Sequence, residues 1–175
     1  AEMARTYGQL TPVPAARVRE MQDGDQVTLG SRTLSFMDTP GHAKHHVCIH
    51  DSGSNGVFSG DTFGLSYRAL DCGGRPFILP TTTPPQFDPE AAHASIERIA
   101  ALAPEAVYLT HYGRVAEVPR LEADLHAGLD AFVDIALRLQ DAGAAEAGGH
   151  QRRVGVGMDQ VAGRGHLRPR LLARQ

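Results

Sequence analysis

Three short stretches concentrate side chains able to bind a divalent metal: Asp38-Thr39-Pro40-Gly41-His42, Ser59-Gly60-Asp61-Thr62-Phe63 and Leu109-Thr110-His111-Tyr112-Gly113. Imidazole and carboxylate both suit zinc, and also iron or manganese, so the donors define a class of metal and not one element. Glycine directly precedes His42 and Asp61, removing bulk where the backbone must approach another group closely. Each stretch also has a plainer reading. A lone histidine after a strand is more often a surface or hydrogen-bonded group, and Gly-Asp is more often a turn. Their weight comes from occurring together in this order. Nine histidines are present, four of them within residues 42–50. Of these, His45, His46 and His50 read as surface groups or as supports behind a ligand.

Each of the three must sit at the end of an element that fixes it. Residues 25–36 alternate apolar and polar side chains around Gly30-Ser31, which predicts a β-hairpin with a two-residue turn. A second strand pair follows, Val47 to His50 and Val57 to Gly60, joined by turn residues Asp51 to Gly56. Residues 64–88, rich in glycine and proline and without sustained periodicity, predict a long surface loop. Asp88 can cap a helix that opens on Pro89, with Ile96, Ile99, Ala100 and Ala103 as its buried stripe and Pro104 ending it. Ala106 to Leu109 is short and β-prone enough to be a core strand that delivers His111. A last helix carries Val118, Leu121, Leu125, Leu129, Phe132, Ala136 and Leu139 at helical spacing. The order ββ, ββ, loop, α, β, α predicts α/β layers with a helical cover.

The chain has 175 residues, 42% hydrophobic and 21% charged, with a formal charge of −3. That suits one folded domain and gives no basic footprint for nucleic acid. No apolar run approaches the ~20 residues that span a bilayer, and the N-terminus lacks a signal-peptide layout, so the expectation is a cytoplasmic protein without a membrane partner. Cys48 and Cys72 are too few for a disulfide scaffold and read as reduced, buried thiols. From Gly143 the composition turns to Ala, Gly and Arg with almost no apolar period, which predicts a domain over residues 1–142 and a disordered tail over 143–175.

Over about residues 17–140 the three stretches, with the strands leading into them, resemble the later half of the metallo-β-lactamase superfamily, especially its glyoxalase II-like hydrolases. Thr39-Pro40-Gly41-His42, followed by His46, is similar to that family's TPGHxxxH segment. Gly60-Asp61-Thr62 is similar to its GD(T/S) segment, and Thr110-His111 to its last ligand. The resemblance implies an αββα sandwich, present here mainly as its second βα half. It further implies two divalent metal ions, zinc first and iron or manganese as alternatives, with His42 on one ion, His111 on the other and Asp61 bridging both as the catalytic carboxylate. The implied activity is hydrolysis of thioester or other ester substrates by a hydroxide activated between two metals. Phosphodiester and lactam substrates use the same core.

The family's HxHxDH motif is absent from the sequence. Its place would be upstream of Ala1, so the expectation is a fragment with half of the ligands. The competing reading is a metal-poor binding or structural module without catalysis. A redox-active di-iron protein is a third reading, but it would carry an electron-carrier domain that nothing here resembles. Tyr67 and Arg68, just beyond Asp61, are placed to contact substrate oxygens, and Thr81 to Pro85 could line a pocket. Lys44 reads as solvated, His93 and His126 as surface residues off their helix stripes, and His150 and His166 as tail residues without a role. A small-molecule substrate is the expected partner. Half of such a fold would also leave an apolar sheet face uncovered and prone to self-association.

Overall fold

The Gly30-Ser31 turn, with Gly30 at φ +62°, joins β1 (Gln26–Leu29) to β2 (Arg32–Asp38), Leu29 facing Arg32 across it. The computed structural model describes Gly8, residues 11–82 and residues 85–147. In these, β3 (Val47–Asp51) and β4 (Gly56–Gly60) form the second hairpin, and β5 (Ala106–Leu109) and β6 (Gly113–Val115) complete a six-stranded sheet in sequential order. All neighbours are antiparallel except β4 and β5. That parallel pair requires a crossover, which α1 (Pro89–Ala100) supplies. Asp88 caps α1 by accepting the Ala91 N–H, as its sequence predicts. The long helix α2 (Val118–Ala147) packs against α1.

Period-two alternation divides the sheet into two unlike faces. Met37, Cys48, Val57 and Val107 meet Ile96 and Ile99 of α1 and Leu121, Leu125 and Leu129 of α2 in one buried cluster. On the opposite face Phe36 pairs with Ile49, Ile49 with Phe58 and Phe58 with Tyr108, so four apolar side chains form a row across four strands. The Phe58 and Tyr108 rings stack 4.9 Å apart, and Phe58 remains 47% exposed. The fold is thus α/β, with a sheet covered by helices on one face.

Several expectations need correction. Residues 64–88 are not only surface: Ser66, Ile78 and Pro80 are buried, and Leu65 bridges to Leu79. Strand β6 has no counterpart in the sequence reading. Ala103 falls beyond α1 and is exposed, and Leu139 of α2 is 69% exposed. Helix α2 runs to Ala147, and residues 148–175 of the expected tail lie outside the described residues. Cys48 is buried, which pushes its thiol up to about 11, but Cys72 is exposed. Among the described residues no helix is long and apolar enough to cross a membrane.

Candidate metal centre

Because β3 is antiparallel to both its neighbours and β5 is parallel to β4, strands β2, β4 and β5 all run in one direction. Their C-terminal ends therefore share one edge of the sheet, and His42, Asp61 and His111 all follow those ends. The backbone of the His42 loop is held by α1. Ser95 Oγ donates to the Pro40 carbonyl at 2.6 Å, and the Asp88 N–H donates to the Gly41 carbonyl at 2.8 Å. Gly41 adopts φ +135°, and a Cβ there would lie 2.4 Å from the Ala92 backbone, so this close approach admits only glycine.

Asp61 stands between the two histidines. Its Oδ2 lies 3.5 Å from His42 Nε2 and its Oδ1 3.4 Å from His111 Nε2. Both separations are too long for good hydrogen bonds. They instead match the edge of a tetrahedral site, about 3.4 Å between donors that each lie about 2.1 Å from zinc. Oδ1 is buried and makes no hydrogen bond, a state that costs on the order of 1–3 kcal/mol unless something compensates it. Each carboxylate oxygen thus addresses one imidazole nitrogen, a donor set suited to a carboxylate bridging two cations. Among the described residues no three His, Cys, Asp or Glu side chains gather around a single point.

The groups behind these side chains fix their orientation. His42 Nδ1 lies 3.4 Å from the Thr81 carbonyl, as long a contact as those to Asp61. Thr81 Oγ also donates to the Asp61 carbonyl at 2.6 Å. One residue of the 64–88 segment therefore contacts both halves of the pair, and no local signal in the sequence distinguishes it from Thr82. His46 accepts the Asp61 N–H at its Nε2, 2.9 Å away, while its Nδ1 lies 2.8 Å from Thr62 Oγ and 3.0 Å from Thr39 Oγ. An accepting Nε2 makes His46 the neutral Nδ1–H tautomer. Burial, with help from neighbouring His42, correspondingly lowers its pKa. Gly60, at φ +51°, leaves room for this ring, since a Cβ would lie 2.5 Å from His46 Nε2.

The remaining residues divide. Tyr67 packs against Tyr112, the neighbour of His111, with ring centroids 4.6 Å apart, and so lies at the rim. Arg68 donates to the Arg114 carbonyl and lies 3.8 Å from Asp71, which engages its guanidinium with protein partners. His50 bonds Asn55 and does not join the cluster. An open groove of about 630 Å³ between residues 70–78 and α2 includes none of His42, Asp61 and His111.

The sequence model of the metallo-beta-lactamase superfamily matches residues 2–111. The chain is 29% identical over 121 residues to the hydroxyacylglutathione hydrolase of Fuscovulum blasticum, covering 69% of this chain and 42% of that protein. It is 39% identical over 62 residues to the human acyl-coenzyme A thioesterase MBLAC2, covering 29% of this chain and 22% of that protein. Among solved structures it superposes on the archaeal metallo-beta-lactamase superfamily protein ST1585 of Sulfolobus tokodaii with a TM-score of 0.55 and 27% identity, over 70% of this chain and 44% of that one. The chain spans less than half the length of these curated relatives.

Proposed function

The chain belongs to the metallo-β-lactamase superfamily, a family of metal-dependent hydrolases, and from that premise we propose that His42, Asp61 and His111 are its contribution to a two-metal centre hydrolysing small-molecule thioesters or esters. The observation that carries this reading is the Asp61 carboxylate, with one oxygen toward each imidazole and Oδ1 buried without a partner. The names of the relatives, a hydroxyacylglutathione hydrolase and an acyl-coenzyme A thioesterase, support the thioester class.

In this reading His42 and His111 would each hold one ion through Nε2, and the Asp61 carboxylate between them would serve both. Zinc is the first choice, with iron or manganese compatible with the same donors. When bound, the ions lower the pKa of water toward neutrality and polarise the scissile carbonyl. Thr81 and His46 hold the Asp61 backbone from two directions. Tyr67 and Tyr112 form an aromatic rim beside the half-exposed His111, where the acyl portion of a substrate can rest.

The test is metal content and hydrolysis of hydroxyacylglutathione and acyl-coenzyme A thioesters by the protein that carries the complete domain. About two ions per chain are expected, and Asp61→Asn should lower hydrolysis at least ~100-fold while reducing retained metal. Undiminished hydrolysis in Asp61→Asn would reject the assignment. The alternative of a metal-poor binding module draws on the lack, among the described residues, of three potential ligands around one point, and metal-free protein with no hydrolysis across the panel would favour it.

A further inference from the structure

His93 of α1 and His126 of α2 meet between the two helices, outside the cluster at the strand ends. Their Nδ1 atoms are 2.5 Å apart, the rings are 7° from parallel, and the ring centroids are 4.8 Å apart. That centroid separation is close to the Nδ1 to Nδ1 distance extended by a ring radius at each end. The imidazoles therefore lie edge to edge, with the two nitrogens head-on, and not face over face. Their outer nitrogens look the other way, toward carboxylates: His93 Nε2 is 3.2 Å from Asp130 Oδ1, and His126 Nε2 is 4.0 Å from Glu122 Oε1.

The ionised Asp130 carboxylate only accepts, so it favours the hydrogen on His93 Nε2 and leaves its Nδ1 as a lone pair, whereas Glu122, 4.0 Å from His126 Nε2, is beyond hydrogen-bond reach and acts on that ring through its charge alone. The Asp130 contact is the arrangement by which carboxylates orient metal-binding histidines. His126 Nδ1 can answer that lone pair with its own hydrogen, and where its hydrogen sits on Nε2 instead the two lone pairs repel unless a cation lies between them. Burial, with the neighbouring His93, lowers the His126 pKa and so favours the neutral ring, against the opposing negative charges of Glu97, Glu122 and Asp130. The histidine side chains are 27% and 22% exposed, so an ion can reach them from solvent.

We propose that His93 and His126 form a second metal site, clasping α1 to α2, that takes a borderline divalent cation such as Zn²⁺ through their two Nδ1 atoms. No third His, Cys, Asp or Glu converges there among the described residues, so water completes the coordination. The nitrogens must separate to about 3.3 Å, the edge of a tetrahedron with zinc–nitrogen bonds near 2.0 Å. Rotation of two partly exposed rings provides that. Because α1 also holds the Pro40 and Gly41 carbonyls, the clasp would steady the platform beneath His42.

The test is Zn²⁺ titration of the ¹⁵N-labelled chain, followed at each histidine ring, with melting temperature recorded alongside. Zinc should shift Nδ1 but not Nε2 of His93 and His126, and should raise the melting temperature as any ligand of the folded state does. His126→Gln should abolish the response at His93 while leaving that at His42 intact. Asp130→Asn should weaken the site about 10-fold by releasing the His93 ring. Unmoved His93 and His126 Nδ1 resonances at saturating zinc would overturn the proposal, as would a bridging proton between them that zinc fails to displace. The ring signals of the unsubstituted chain decide the matter even if His126→Gln does not fold.

Discussion

At Gly60 a side chain is excluded twice, by the left-handed backbone at φ +51° and by the His46 ring that a Cβ would strike. A non-glycine residue in that conformation costs about 1–2 kcal/mol, and the displaced ring would release the Asp61 N–H. Gly60→Ala is therefore expected to lower urea stability by at least about 1 kcal/mol and to speed amide exchange at Asp61. Wild-type values for both would remove His46 from the role of support. His46→Gln tests the same contact more gently, because an amide oxygen can still accept that N–H. At this scale the sequence was informative where chemistry is local. Glycine before His42 and before Asp61 signalled close backbone approach, and both glycines prove irreplaceable for that reason. What it could not show were partners distant along the chain. Thr81 reaches Asp61 across 20 residues, Tyr112 meets Tyr67 at the rim, and His93 finds His126 only because two helices pack.

The elements that carry these residues were legible in proportion to how strongly each is written in local pattern. Both hairpins, the Asp88 cap and the strand before His111 follow from turn chemistry and periodicity alone. Strand β6 has three residues, too few for any period, and it exists because β5 offers an edge to pair with. The 64–88 segment lacks a pattern yet buries Ile78, since the sheet and α2 supply the cover. Two element-level predictions follow from the caps and turns. Asp88→Ala should cost about 1 kcal/mol by thermal unfolding, whereas an unchanged midpoint would show the cap to be dispensable. In the β3–β4 turn, Asp51 is 1% exposed, although its cover is thin, being its own turn and the half-exposed Arg32 side chain. Hydrogen bonds from Ser54 first, then from the Gly53 N–H, with Arg32 adding its charge, hold the Asp51 carboxyl below its usual pKa. A carboxylate lowered in this way stabilises the fold above the unfolded-chain value of about 3.9. The contribution is lost as pH falls through the lowered folded-state value. Asp51→Asn should therefore be less stable than wild type near neutrality, with the gap closing in acid. A gap constant with pH would mean the carboxylate's charge plays no part.

At the largest scale, one face of the sheet is covered among the described residues and the other is not. Helices α1 and α2 bury Val57, Val107 and Cys48, while Phe36, Ile49, Phe58 and Tyr108 line up across the opposite face with Phe58 half open. The apolar stripe of α2 likewise outruns its cover, leaving Ile135 and Leu139 exposed. Covering a large apolar side chain contributes about 1.5–3 kcal/mol, so a row of four creates a strong drive to acquire another layer. A second βα layer of the same protein or a second copy of this chain would each satisfy it. The chain alone is accordingly expected to self-associate, with light scattering rising steeply with concentration. Phe58→Lys should suppress that association at a cost of about 1 kcal/mol in monomer stability, the worth of its stack on Tyr108. If association persisted in Phe58→Lys and fell instead with Leu139→Lys, the end of α2 would be the sticky surface, and the open sheet face would need another explanation.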